Sequence, residues 1–171
     1  MSITIEPVVF ANDAHLSQWY TIRSEKSVRE ACRSVKKITP EQHRIWWDES
    51  AKSKDRLLYF IRVRRDPALP TVTPPGHVPP IMVQTVGILR VDHRGSWTEV
   101  WLAVKPDHRQ YGFATETLLV LSQIAAQLKW PPLGAVVHGR KNIASWRLFT
   151  RAGFVMQHNG FLQLVQPRTS T

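Results

Sequence analysis

One stretch limits what this chain can become more than any other: Val104-Lys105-Pro106-Asp107-His108-Arg109-Gln110-Tyr111-Gly112-Phe113-Ala114. Before it, Trp97 to Lys105 is apolar and β-branched and reads as a strand. After it, Phe113, Leu118, Leu121, Ile124, Ala125 and Leu128 recur at helical spacing, so Gly112 to Lys129 reads as a helix with one apolar face. The first turn of a helix holds amide hydrogens with no intrahelical acceptor, and the helix dipole adds partial positive charge. A basic turn feeding such a helix is an anion site, and a diphosphate suits it. Taken alone, Gly112 and Ala114 read more simply as a tight strand-to-helix junction that holds no ligand.

The other elements follow from capping and turn chemistry. Ser2 to Phe10 reads as a first strand, and Asn12 or Asp13 caps a short helix over residues 14–20. Arg23 to Arg33 is polar and mixed in charge and carries no clear pattern. Thr39-Pro40-Glu41-Gln42 is a capping-box start, with proline in the first turn, for a helix running past His43, Trp46 and Trp47 to Ala51. Strands follow at Arg56–Arg65, Met82–Asp92 and Trp97–Lys105, the last two joined by a His93–Ser96 turn. Between the first two of these, residues 66–81 hold six prolines and read as a connecting loop. Trp130-Pro131-Pro132 stops the long helix, Leu133–Val137 is a short strand, and Asn142 caps a last helix that ends at Gly153. Phe154–Met156 and Phe161–Val165 close the chain around a His158-Asn159-Gly160 turn. The order is β-α-α-β-β-β-α-β-α-β-β: an α/β fold with a mixed, mostly antiparallel sheet flanked by helices, in one domain over residues 1–171.

Composition bounds the function. One cysteine, Cys32, forbids an intrachain disulfide framework, and the start of the chain lacks the marks of a signal peptide, so a cytoplasmic protein is expected. No apolar run approaches a bilayer span, and no Cys/His cluster, Gly-x-Ser-x-Gly elbow or HExxH appears, so neither a membrane, a metal nor serine chemistry is expected. The net charge of +10 fits a solvated basic surface or an acidic partner: a coenzyme with phosphates, a nucleotide-bearing substrate, or nucleic acid. There is no basic–aromatic stripe of the kind that grips single strands.

Arg109-x-x-Gly112-x-Ala114, Gly87-Ile88-Leu89, and Asn142-Ile143-Ala144-Ser145 with Leu148-Phe149 and Gly153-Phe154, taken in order, resemble the motifs of the GNAT N-acetyltransferases. The resemblance implies acetyl-coenzyme A as co-substrate. The main chain of Leu102 and Val104 would pair with its pantetheine arm. The amides of Arg109, Gln110, Tyr111, Gly112, Phe113 and Ala114 would hold its pyrophosphate, with Asn142, Ser145 and Phe149 beside it. Residues 22–29 and Ile38–His43 followed by Trp46-Trp47 resemble segments of GNAT enzymes that acetylate nucleotide-linked amino sugars, as in the pseudaminic acid pathway. Ile22 stands there in place of a tryptophan and Ser24 in place of an asparagine. One of the two tryptophans is expected in the core and the other at a lid.

Glu99 is the carboxylate of a strand whose same face carries Trp97 and Trp101. Flanking aromatics would desolvate it and raise its pKa, which suits a base that deprotonates the attacking amine. The competing reading is a carboxylate paired with an arginine such as Arg90. The family's usual general acid, a tyrosine, falls on Phe149, which has no proton to give. His138 is a candidate acid or substrate contact, or a satisfied strand-end histidine. The expected partner is a small-molecule amine, with a homodimer admitted. A transferase acting on a protein amino terminus or a nucleic-acid amine, and a non-catalytic coenzyme A or nucleic-acid binder, are the competing readings.

Overall fold

A computed structural model of the chain describes residues 2–32, 35–65, 82–137, 142–158 and 160–164. The proline-rich segment 66–81, His138 and Asn159 lie outside them. Seven strands form one sheet in the order β1-β2-β3-β4-β5-β7-β6, with β1 Ser2–Pro7, β2 Arg56–Arg65, β3 Met82–His93, β4 Thr98–Val104, β5 Leu133–Val136, β6 Phe154–His158 and β7 Phe161–Leu164. Every neighbouring pair is antiparallel except β4 with β5. The helices are α1 Asp13–Ser24, α2 Lys26–Glu30, α3 Pro40–Lys52, α4 Phe113–Gln127 and α5 Ile143–Arg151.

The expected elements are present, with one addition. The stretch without a readable pattern divides at Ser24. The first helix runs on to that residue because Leu16, Trp19 and Ile22, spaced at three, all become buried. Its polar residues between hide that face in the sequence. Glu25 then breaks the helix and caps α2, its side chain accepting from the Val28 amide at 3.1 Å. A five-residue helix gives too short a window for periodicity to show. The capping box at α3 is as expected: the Gln42 amide donates to Thr39 Oγ1 at 3.2 Å and the Thr39 amide to Gln42 Oε1 at 3.1 Å.

The central strands are buried on both faces, so β3 reads as a continuous apolar run rather than an alternation: Val86, Ile88, Leu89 and Val91 are all at 1% exposure or less. One face carries Leu58, Phe60, Ile88 and Ala103 against Trp19 and Ile22 of α1, Val28 of α2 and Trp47 of α3. The other carries Ile61, Val63, Leu89, Val91 and Val100 against Phe113, Leu118 and Leu121 of α4 and Phe149 of α5. The two helical layers thus lie on opposite sides of β4, the strand that supplies the site.

Where β3 meets the end of β4, only glycine fits. A Cβ on Gly87 would stand 2.4 Å from the Ala103 carbonyl oxygen and 3.0 Å from Ile61 Cδ1. Backbone cannot yield to that contact without moving β4. Gly87→Ala should therefore cost about 1–3 kcal/mol, read as a lower midpoint in urea denaturation.

Candidate active site

The site begins with a sheet that comes apart. Strands β4 and β5 pair at only two positions, Thr98 with Leu133 and Glu99 with Gly134. The hydrogen bonds fix which way the rest of β4 faces. Lys105 N–H donates to Val86 O on the β3 side, whereas Thr98 N–H donates to Pro132 O on the β5 side. Alternation along an antiparallel ladder then turns the main-chain groups of Val100, Leu102 and Val104 towards β5. Beyond Glu99 no β5 residue meets them, and a groove of about 690 Å³ opens there.

The turn at one end of the groove is built to leave amides free. After a 3-10 turn at Pro106–His108, Arg109 N–H donates to Pro106 O at 3.2 Å. Gln110 and Gly112 then take positive φ, 68° and 82°. Gly112 is the residue that admits this at no steric cost, and it has no side chain to cap α4. Among the described residues, no backbone carbonyl accepts from the amides of Gln110 through Thr115. These amides and the α4 dipole form a receptor for oxyanions.

Arg109 departs from expectation. Its amide is already committed to Pro106, and its guanidinium turns away from the free amides. Nε donates to Val104 O at 3.1 Å and Nη2 to Ser27 Oγ at 2.6 Å, with Glu25 Oε2 at 4.0 Å. Ser27 in turn donates to Glu25, and that bond holds the Glu25 carboxyl below the usual carboxylate range. Arg109 therefore braces α2 against the turn. The amide of Tyr111 is one of the free ones, while its side chain is exposed and stacks on Phe113 with centroids 5.7 Å apart, outside the groove.

Leu102, Val104, Arg109, Gln110, Gly112, Phe113, Ala114, Asn142, Ser145 and Phe149 all border the groove. Asn142 caps α5, Oδ1 accepting from the Ser145 amide at 3.2 Å, while Nδ2 donates to Ala31 O at 3.1 Å. It thus clasps the end of α2 from the other side. Phe149 is buried edge-to-face against Phe154 at 5.1 Å.

A second cavity, of about 220 Å³, opens on the α1–α3 side of β4. Trp19, Arg23, Ile38, His43, Trp46, Arg90 and Trp101 line it. Trp101 borders both cavities. Of the two neighbouring tryptophans of α3, Trp47 is in the core at 1% exposure as expected, and Trp46 lines the cavity wall. Arg23 escapes the sequence reading because only the extension of α1 to Ser24 brings it to this wall, whereas Trp19 lies within the expected helix and only the packing of α1 on the sheet turns it here.

Glu99 has different surroundings from those its neighbours in sequence suggest. Trp97 precedes β4 and packs edge-to-face on Phe161 at 4.8 Å, so no second indole shelters the carboxylate. Instead Oε2 accepts from Arg94 Nε at 3.1 Å and Nη2 at 2.9 Å, and Arg90 Nη2 stands 4.0 Å from Oε1. The competing reading, a carboxylate paired with arginines, describes this environment. Glu99 borders neither cavity directly; Arg90 stands between it and the smaller one.

A family model described as an acetyltransferase (GNAT) domain matches residues 4–155 of the chain. The chain belongs to the GNAT acetyltransferase family. Several solved structures share its fold across nearly their whole length. A domain from Methanocaldococcus jannaschii DSM 2661 matches with a TM-score of 0.76 at 16% identity, covering 95% of this chain and 96% of that one. Vibrio cholerae spermidine N-acetyltransferase, solved with CoA and spermine, gives 0.66 at 11% identity over 94% and 90%. Campylobacter jejuni N-acetyltransferase PseH, solved with acetyl coenzyme A, gives 0.62 at 14% identity over 97% and 100%. No curated protein matches the chain in sequence. The GNAT chain described here is thus an acetyltransferase domain. The groove residues would fit a coenzyme A: amides for a diphosphate at one end, and an open strand edge for an amide-bearing arm beside it.

The smaller cavity carries its own pH signature. Burial, with the charge of Arg23 beside it, pushes the His43 imidazole down from 6.5 to about 4. The folded GNAT domain resists a proton that the unfolded chain accepts below pH 6.5. Stability is therefore full above that pH and lost as pH falls towards 4, by about 3 kcal/mol for a shift of this size. Urea midpoints should fall over that window, and His43→Gln should flatten the fall.

Proposed function

We propose that the protein transfers the acetyl group of acetyl-coenzyme A to the primary amine of a small acceptor, with a nucleotide-linked amino sugar as the leading class. The observation that carries this is Trp101, which borders both cavities, so that an acceptor in the smaller one reaches the β4 edge where the thioester would lie. The diphosphate would lie on the amides of Gln110 to Thr115 and the pantetheine arm along Leu102 and Val104. Direct attack by the amine on the thioester carbonyl gives a tetrahedral oxyanion, which a β4 amide facing the gap would stabilise. A protonated amine has no lone pair, so a base is needed; this reading assigns Glu99, acting through water because Arg94 and Arg90 hold its carboxylate. With phenylalanine at 149, no hydroxyl from that position protonates the departing thiolate. A thiol with a pKa near about 8.5 leaves as the anion at tolerable cost. A basic, aromatic acceptor pocket without carboxylates supports an acidic acceptor such as a nucleotide-linked sugar over a polyamine.

Release of free thiol from acetyl-coenzyme A in the presence of an amine panel tests the reaction. Gly112→Val strains a backbone position at φ 82° and fills the turn, so affinity for coenzyme A should fall about tenfold or more by calorimetry. Undiminished affinity would put the diphosphate elsewhere. Glu99→Gln should lower the rate most below neutral pH and leave coenzyme A affinity intact. An unchanged pH–rate profile would remove Glu99 as the base.

A further inference from the structure

The smaller cavity holds a charge that the protein itself does not answer. Its two cations differ. Arg90 is flanked by Asp92 Oδ2 at 2.8 Å and Glu99 Oε1 at 4.0 Å, and Asp92 also meets Arg56 and Arg94. Arg23 has no carboxylate partner among the described residues. Its guanidinium lies over the Trp101 ring, 5.5 Å from the centroid, and its Nη1 is shut off from water with no hydrogen-bond partner. Among the described residues, no aspartate or glutamate lines the cavity.

His43 supplies the opposite property. Its ring is 3% exposed and uncharged at neutral pH, and one ring nitrogen is held by the backbone of Leu16. The other, Nε2, is buried and has no partner. A neutral imidazole that donates through Nδ1 offers a bare lone pair at Nε2. The wall therefore sets an uncompensated cationic donor near a neutral acceptor, between the indoles of Trp19, Trp46 and Trp101.

Building on the acetyl-transfer reading, we infer that Arg23 is the residue that selects the acceptor, and that the acceptor is an amine carrying an oxyanion, carboxylate or phosphate, close to the amine. The oxyanion neutralises Arg23, a hydroxyl or N–H of the same molecule donates to His43 Nε2, and the indoles hold the carbon frame between them. The amine then faces the β4 edge past Trp101. A polyamine would set a second cation against an unanswered guanidinium, and the cavity rejects it on charge. At about 220 Å³ the space falls below the roughly 300 Å³ at which pockets for whole drug-sized ligands begin. It therefore takes an amino-acid-sized molecule, or the amine-bearing end of a larger one.

The test uses the full chain and four amines of matched length: an aminoalkyl carboxylate, an aminoalkyl phosphate, an aminoalkyl alcohol, and spermidine. Binding is followed first without coenzyme A, by quenching of tryptophan fluorescence, since three indoles line the cavity. At least one of the two anionic amines should quench saturably, and Arg23→Gln should weaken it about tenfold or more, with Arg23→Lys recovering part of the loss. Which anion binds better distinguishes a carboxylate source from a phosphate source. In turnover with acetyl-coenzyme A, Arg23→Gln should raise KM for the anionic amine, leave kcat nearly unchanged, and leave the weak alcohol reaction and coenzyme A affinity as they were. The inference is overturned if spermidine or the alcohol binds as tightly as both anions, or if Arg23→Gln weakens every amine alike. Anion-selective quenching without thiol release would retain Arg23 as an anion receptor and instead defeat the acetyl-transfer assignment.

Discussion

Strands β4 and β5 share two residue pairs and then separate, and the rest of the molecule is arranged around that separation. A strand that leaves its partner exposes main-chain donors and acceptors, which are costly to leave unanswered in a partly buried setting. Here β4 remains anchored on its other side by seven consecutive pairs with β3, so it can hold an open edge without fraying. The parting works as a binding surface because one side of β4 is a complete ladder. Gly87, with no room for a side chain beside the Ala103 carbonyl, keeps the two strands close opposite Val104, which borders the groove.

The short helix α2 is fastened to both banks of this groove. Arg109 reaches it from the turn and Asn142 from the start of α5. The two residues that a motif reading places beside the coenzyme thus spend their side chains on positioning α2, and the receptor for the diphosphate is left to backbone amides. This division makes physical sense. Amides fixed by φ values of 68° and 82° are pre-organised for an anion, whereas a long guanidinium would have to be ordered at each binding event.

Much of this was legible from the residues alone. Capping chemistry announced α3 and α5, since Thr39 with Gln42 and Asn142 act over three residues and need no tertiary information. The order of strands and the turn before α4 were equally local. Glu99 was not legible in the same way. Alternation correctly put it on the Trp101 face, but its partners, Arg94 and Arg90, come from the adjacent turn and strand, and the β3–β4 register decides that they meet it. The smaller cavity was hidden for a related reason: Arg23, His43 and Arg90 come from α1, α3 and β3, and nothing in their sequence spacing brings them together.

The central claim is that the open edge of β4 and the amides before α4 form a single receptor for acetyl-coenzyme A. Amide hydrogen exchange with and without coenzyme A tests it most directly, because the groups said to bind are the ones that exchange. The account predicts new protection at Leu102 and Val104 and from Gln110 to Thr115, with α3 unchanged. Protection confined to other segments, or exchange in the turn that coenzyme A leaves unaltered, would contradict it.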